Sequence, residues 1–358
     1  MKNGVSIVST CKMGPGTFEA KFTPLSMVEE VSRIIVVRKI TGPKIPKLEY
    51  IILPKISSNP LMNFILAVYE VVRQVKKSHA RFILAYHYMP YFFIAYTASI
   101  ISGKPYILGQ TGTDVQRFVE KPVLGWVLRH IIHKAYSFNV PGCSSLEYWK
   151  RIGFSNVRVL HSTIDTSRFV PDDSAKEFEF LFLGRLETYK GVHHIIRALS
   201  SIVKDFPDTT LAIVGYGPYE AELRSLVHAM NLTNNVNFHG YQADTYTYYR
   251  KAKIFVMASE TEGLPCALME AMSCELLCIS TLVGNIGDIL KDGVTGFSYD
   301  SGDVDKLNKL MRTSLVDYEK YRYLRENGRK RIVAEHSYEF AISLWEKLIV
   351  GFEGKDET

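Results

Sequence analysis

What most constrains this chain is a repeated alternation of short apolar runs with longer stretches of helical spacing. Val5 to Ser9, Ile34 to Val37, Tyr50 to Leu53, Phe82 to Tyr86, Pro105 to Leu108 and Ser137 to Val140 read as strands in the first half. Leu61 to Lys77, Val123 to Lys134 and a stretch from Ser144 read as helices. The second half restarts the series. Phe178 to Leu183, Leu211 to Val214, Val236 to His239 and Ile254 to Met257 are strand-like, with helices at Val192 to Lys204, up to Met230 and through Arg250. These runs are apolar throughout rather than alternately polar, as strands buried on both faces are. Strands alternating with helices predict parallel sheets covered on both sides, an α/β protein. The polar stretch HSTIDTSRFVPDD separates the two series.

At 358 residues the chain has the length of two ordinary domains, each able to bury its own core. With 47% hydrophobic and 22% charged residues it is not a disordered composition. Met1 to Ser9 carries no signal-peptide pattern. The most apolar stretch, Tyr91 to Ser102, is too short for the ~30 Å hydrocarbon core of a bilayer. Cysteines 11, 143, 266, 274 and 278 are odd in number and form no CxxC pair, which predicts reduced thiols and a cytoplasmic setting. The net charge of +6 is unevenly spread. Residues 1–160 hold 21 Lys and Arg against 8 Asp and Glu, a balance of +13, and the remainder has −7. A basic half predicts an anionic partner: a phosphorylated substrate, an anionic membrane surface or nucleic acid. A solvated basic face accounts for the same count.

Two segments carry chemistry. In SETEGLPCALMEAM, which follows the strand ending at Met257, Glu262 sits in a loop and Glu270 within a mostly apolar helix, with Pro265 placed as a first helical residue. Carboxylates at the carboxyl end of a parallel strand can accept hydrogen bonds from a polyhydroxylated ligand. By themselves they fit a solvated loop and helix face equally well. In GRLETYKG, Arg185 leaves a strand end and Lys190 precedes a helix. Both cations are expected to converge on that helix N-terminus, where free N–H groups favour an anion. Arg can grip a phosphate bidentately while Lys supplies a point charge. The pair could steady a departing diphosphate without a metal, or belong to a surface ion-pair network.

Other patterns carry less. The Gly14-Pro15-Gly16 loop could bring backbone amides near a phosphate, but it is not the GxGxxG fingerprint. Walker A, GxSxG and HExxH patterns do not occur. Asp303-Val304-Asp305 reads as a helix start with Asp303 as its cap, not as a metal-binding DxD. His193 and His194 are neighbours on a helix and are expected to point apart, which argues against a metal there.

Taken in order, STIDTSRF, FLGRLETYKG, LAIVGYGP, VNFHGY, AKIFVMASETEGLPCALMEAM and VGNIGDILKDGVTGF closely resemble the retaining nucleotide-sugar glycosyltransferases of family 4, over nearly all of residues 140–350. In the first half, FILAYHY, KPYILGQTGTD and the GPG loop resemble the family only in outline. The resemblance implies two Rossmann-like doubly wound domains facing across a cleft, the GT-B fold. Residues 1–163 would bind the acceptor, 164–337 the nucleotide sugar, and 338–358 would form a helix crossing back to the first domain. It implies that Arg185 and Lys190 neutralise the donor diphosphate, Glu262 holds a sugar hydroxyl and Glu270 the ribose hydroxyls. Gly215 and Tyr216, and Gly240 and Tyr241 beside the base, would line the donor site, with Gly16 contributing from the first domain. It further implies sugar transfer with retained configuration, no metal and no other cofactor, to a glycan or lipid-linked hydroxyl acceptor, in cell-envelope polysaccharide, glycolipid or glycoprotein glycan synthesis. The reduced thiols predict a cytoplasmic protein, and the basic first half a peripheral place on the membrane face.

Three departures stand out. Where many members have Phe-Gly after Gly263, this chain has Leu264-Pro265, and proline has no N–H to offer. Amide contacts to the sugar would pass to Gly263, Leu264 and Cys266. Thr111 stands where many members place a sugar-contacting His in the loop that ends at Asp114, and His87 is the candidate stand-in. Gly287-Asp288 replaces a common Pro-Glu. A nucleotide-sugar epimerase, a phosphorylase and a non-catalytic subunit of the same architecture are the rival readings. Nothing resembles a nucleic-acid-binding module.

Overall fold

The computed structural model describes residues 4–54, 58–112 and 114–353, without the side chains of Asp114, Phe352 and Glu353. The chain divides into two compact units, one built up to Thr163 and again from Tyr338 on, the other from Ile164–Ser337.

In the first unit the strands are β1 (Val5–Cys11), β2 (Val31–Arg38), β3 (Leu48–Ile52), β4 (Phe82–Tyr86), β5 (Tyr106–Gly109), β6 (Ser137–Val140) and β7 (Val157–Val159). They form one parallel sheet in the order β3-β2-β1-β4-β5-β6-β7. Consecutive residues feed opposite faces, as the two-residue period of a strand dictates. Val8, Ile35 and Val37 enter one core, while Ile7, Ile34 and Val36 enter the other. The latter is closed by the helix Tyr338–Glu353, whose Trp345, Leu348 and Ile349 pack with Phe18, Phe22 and Leu25 of the helix Pro15–Met27.

The GPG stretch is therefore not a loop. Gly14 caps the helix and Pro15 takes its first position, where a missing N–H costs nothing. Gly16 lies in the first turn, and a Cβ placed there would meet nothing within 4 Å.

The second unit repeats the plan with β8 (Phe178–Leu183), β9 (Leu211–Val214), β10 (Val236–Gly240), β11 (Ala252–Met257), β12 (Leu277–Thr281) and β13 (Phe297–Tyr299). The order is β10-β9-β8-β11-β12-β13, again parallel. Phe180, Phe182, Ile254 and Val256 face one core, and Leu181, Phe255 and Met257 the other. In both sheets the strand order reverses beside the first strand, between β1 and β4 and between β8 and β11. Ligand crevices of doubly wound sheets open there, at the carboxyl ends. Asp303 caps the helix Val304–Val316 as its spacing implies, accepting from the Lys306 amide at 2.8 Å.

Candidate active site

The floor of the site in the second unit is made of main chain. The loop after β8 is bonded to the loop after β9 by Gly184 N to Val214 O, Leu186 N to Tyr216 O and Tyr219 N to Leu186 O, each 3.0 Å. Gly215 makes this approach possible. Its φ is +139°, and a Cβ there would stand 1.8 Å from the Gly184 carbonyl oxygen. Across the switch point, Glu260 N donates to Tyr189 O at 2.8 Å, tying the β11 loop to the β8 loop. Gly284 (φ +62°) plays the same part beyond β12, where a Cβ would lie 1.9 Å from the Glu262 carbonyl oxygen, and Asn285 N donates to Gly263 O at 2.9 Å.

Glu262 stands on this floor with its side chain 10% exposed. Its Oε1 accepts from Lys190 Nζ at 2.6 Å and from Ser259 Oγ at 2.8 Å. Lys190, 18% exposed, ends the turn Thr188–Lys190 just before the helix Val192–Ile202. Residues 72 positions apart in sequence thus form one partly buried ion pair at the β8/β11 switch point. Glu270 sits on the helix Cys266–Ser273 and accepts from Tyr249 Oη at 2.9 Å. Tyr249 is fully buried, and burial together with the Glu270 charge pushes its phenol well above the usual range. It therefore stays a donor.

Two expectations need correction. Arg185 and Lys190 do not converge on one point, because Arg185, 66% exposed, turns to Glu187 at 2.5 Å. Exposed pairs of this kind hold weakly. Pro265 is the residue before the helix Cys266–Ser273, not its first position, with extended backbone at φ −74°, ψ 124°. Gly263 and Leu264 occupy the loop ahead of it, with Leu264 buried and Cys266 half-buried at the first helical position. Tyr216 and Tyr241 are both exposed, their rings 5.8 Å apart edge to face at the ends of β9 and β10. Gly240 (φ +64°) accepts from Gly215 N at 2.8 Å.

His193 and His194 also differ from expectation: their rings lie 4.0 Å apart instead of pointing away from each other. Burial, with His194 and Arg197 alongside, pushes His193 down to about 4, and burial also lowers His194. Among the described residues no group of three or more His, Cys, Asp or Glu is placed to hold a metal ion.

In the first unit, His87 and Thr111 line one small pocket of about 10 Å³, near the volume that admits a single water. His87 follows β4 with φ +74°, rare for a residue other than glycine. Its Nδ1 is 3.2 Å from the Met89 carbonyl oxygen and its ring stacks on Tyr88. Asp114 opens the helix Asp114–Val119, but its side chain lies outside the described residues.

Sequence reasoning missed Tyr249, Ser259 and Glu187 as partners of the site. Ser259 and Glu187 lie inside the two motifs. Tyr249 lies in an unremarkable TYTYYRK stretch that gives no signal.

Two doubly wound parallel-sheet domains in one chain, with charged side chains gathered at a switch point, define the GT-B class of fold. Residues 163–331 match the model of the family Glycosyl transferases group 1. An N-acetyl-alpha-D-glucosaminyl L-malate synthase of Bacillus anthracis is 24% identical over 298 residues, 79% of this chain and 78% of that protein. A GDP-mannose-dependent monoacylated alpha-(1-6)-phosphatidylinositol monomannoside mannosyltransferase of Corynebacterium glutamicum is 32% identical over 203 residues, 50% of this chain and 52% of that one. An uncharacterized glycosyltransferase of Haemophilus influenzae is 27% identical over 171 residues, and this chain spans 48% of its length. In fold, the chain overlays Anabaena HepE, crystallised in complex with UDP-glucose, at a TM-score of 0.82 and 18% identity, covering 96% of this chain and 99% of that one.

Proposed function

We propose that this chain transfers a sugar from a nucleotide-diphosphate sugar to a hydroxyl of a glycan or lipid-linked acceptor, with retention of configuration and without a metal, in the synthesis of a cell-envelope polysaccharide or glycolipid. The Lys190–Glu262 pair at the switch point carries this reading. It offers a cation to a diphosphate and a carboxylate to a sugar hydroxyl at one spot, with Glu270 on the next helix for the ribose. The relatives' names point the same way, toward GDP-mannose donors and, in a neighbour of like fold, UDP-glucose.

As the bond between the sugar and the diphosphate breaks, negative charge grows on the leaving phosphate. Lys190 is within reach of it on exchanging Glu262 for the phosphate, and Arg185 on leaving Glu187. Two cations that meet the leaving phosphate stabilise that charge more than they do the ground state, which is what accelerates a reaction. The acceptor oxygen bonds to the anomeric carbon on the face the diphosphate leaves, and its proton passes to the departing phosphate oxygen.

The test is a thermal-shift screen of nucleotide sugars on the full chain and on Lys190→Ala and Glu270→Ala. A donor should raise the melting temperature of the parent and fail to do so in both variants. A donor whose effect survives both changes would remove the site from consideration. Product analysis then separates transfer from epimerisation of the donor sugar, and absence of both would favour a non-catalytic subunit.

The basic first half fits an anionic membrane surface. On the helix Pro122–Lys134, Val123 and Trp126 are 79% and 71% exposed, with Lys121 and Arg129 beside them. Exposed aromatics among cations suit a headgroup interface. No helix among the described residues is long and apolar enough to cross a membrane. Co-sedimentation with phosphatidylglycerol vesicles should fall severalfold on Trp126→Ser and in high salt. Binding indifferent to anionic lipid and to salt would refute the surface role.

A further inference from the structure

The first unit holds a second charged feature that the transfer reading does not use. Arg38, the last residue of β2, is 4% exposed and lines a pocket of about 720 Å³. Its Nη2 donates to the Met13 carbonyl oxygen at 3.2 Å, and its guanidinium lies 4.8 Å above the Phe18 ring. Among the described residues its Nε and Nη1 have no hydrogen-bond partner and no carboxylate pairs with it. Arginine does not shed its proton in a protein, so the charge stays. A buried charge with unfilled donors is unfavourable unless an anion meets it.

The surroundings say what kind of anion. Thr10, whose neighbour across the β1–β2 ladder is Val37, lines the same pocket, and its buried hydroxyl has no partner among the described residues either. Lys39 adds an exposed cation to the lining. The first turn of the helix Pro60–Lys77 forms one wall, so its N-terminal dipole favours the same sign. Much of the remaining lining is apolar, with Leu53, Phe64 and Tyr91 contributing.

We propose that this pocket binds an anionic amphiphile: a carboxylate or phosphate gripped by Arg38 and Thr10, joined to an apolar group that lies on Leu53, Phe64 and Tyr91. That the occupant is the sugar acceptor rests on the transfer reading above; the preference for an apolar anion does not. The cations and hydroxyl bind the head, and the apolar wall excludes water and strengthens that contact.

Calorimetric titration of the full chain with hexyl phosphate, heptanoate, 1-hexanol and inorganic phosphate tests this. Hexyl phosphate and heptanoate should bind at least tenfold more tightly than hexanol or phosphate. Arg38→Gln should lose that affinity at least tenfold, with a cooperative thermal unfolding transition retained as proof of folding. Should Arg38→Gln fail to fold, Lys39→Glu, on an exposed side chain, should weaken hexyl phosphate severalfold and leave hexanol unchanged. Arg38→Gln within twofold of the parent overturns the proposal, as does hexanol binding as well as hexyl phosphate. Inorganic phosphate binding as tightly as hexyl phosphate overturns the amphiphile and leaves a simple anion site. Because these ligands are read without turnover or donor, failure here is distinct from failure of the transfer reading.

Discussion

Arg185→Ala is expected to lower kcat by about two orders of magnitude or more while leaving the melting temperature almost unchanged. The first effect follows from removing a charge partner of the departing diphosphate. The second follows from the exposure of Arg185 and the weakness of its surface pair with Glu187. Lys190→Ala should differ in kind. It loses the same transition-state charge, but it also leaves Glu262, partly buried, with only Ser259 for a partner. A stability loss of about 2 kcal/mol accompanies such a broken pair. Steady-state kinetics and thermal unfolding on both variants separate the two. Equal stability losses, or an Arg185→Ala enzyme with parental kcat, would refute the division of labour.

The second large effect is structural. Gly215→Ala places a methyl where the Gly184 carbonyl oxygen already stands, 1.8 Å away, at a φ that side chains avoid. Neither main chain can yield without parting the β8 and β9 loops. A loss of about 3 kcal/mol or more is expected in urea unfolding of the second unit. Gly16→Ala is the matched control. It lies in a helical turn with open space around it, so stability should hold or rise by about 0.5 kcal/mol. A Gly215→Ala protein as stable as its parent would mean that the loops do not rest on each other as described.

Much of the fold was legible because each strand is buried on both faces and spells a plain apolar run. Phe178–Leu183, Leu211–Val214 and Phe82–Tyr86 stand where their residues imply. The helix Pro15–Met27 was not legible, because Gly14, Pro15 and Gly16 signal a turn and Pro24 interrupts the helical pattern. β7 and β13 are three residues each, too short to show a period. β12 was passed over within the longer motif that contains it. At the site, the chemistry-bearing residues could be chosen from their motifs, but their partners could not. Lys190 with Glu262, and Glu270 with Tyr249, are contacts made by folding across many residues, and no spacing along the chain encodes them. Arg38 was equally silent, since a strand-ending arginine becomes unusual only when its burial without a counter-ion is visible.

The path of the chain through the two units has a consequence for synthesis. Ile164 and Ser337 form a bridge at the root of the second unit, with Ile164 N donating to His336 O at 3.0 Å. The second unit is thus one continuous segment whose ends meet. The first is discontinuous, and Trp345, Leu348 and Ile349 are buried parts of its core. Read from the ribosome, the later-coded unit has all its residues first. The amino-terminal unit, made earlier, waits with an unfilled apolar face until the last helix emerges, reversing the usual order in which domains mature.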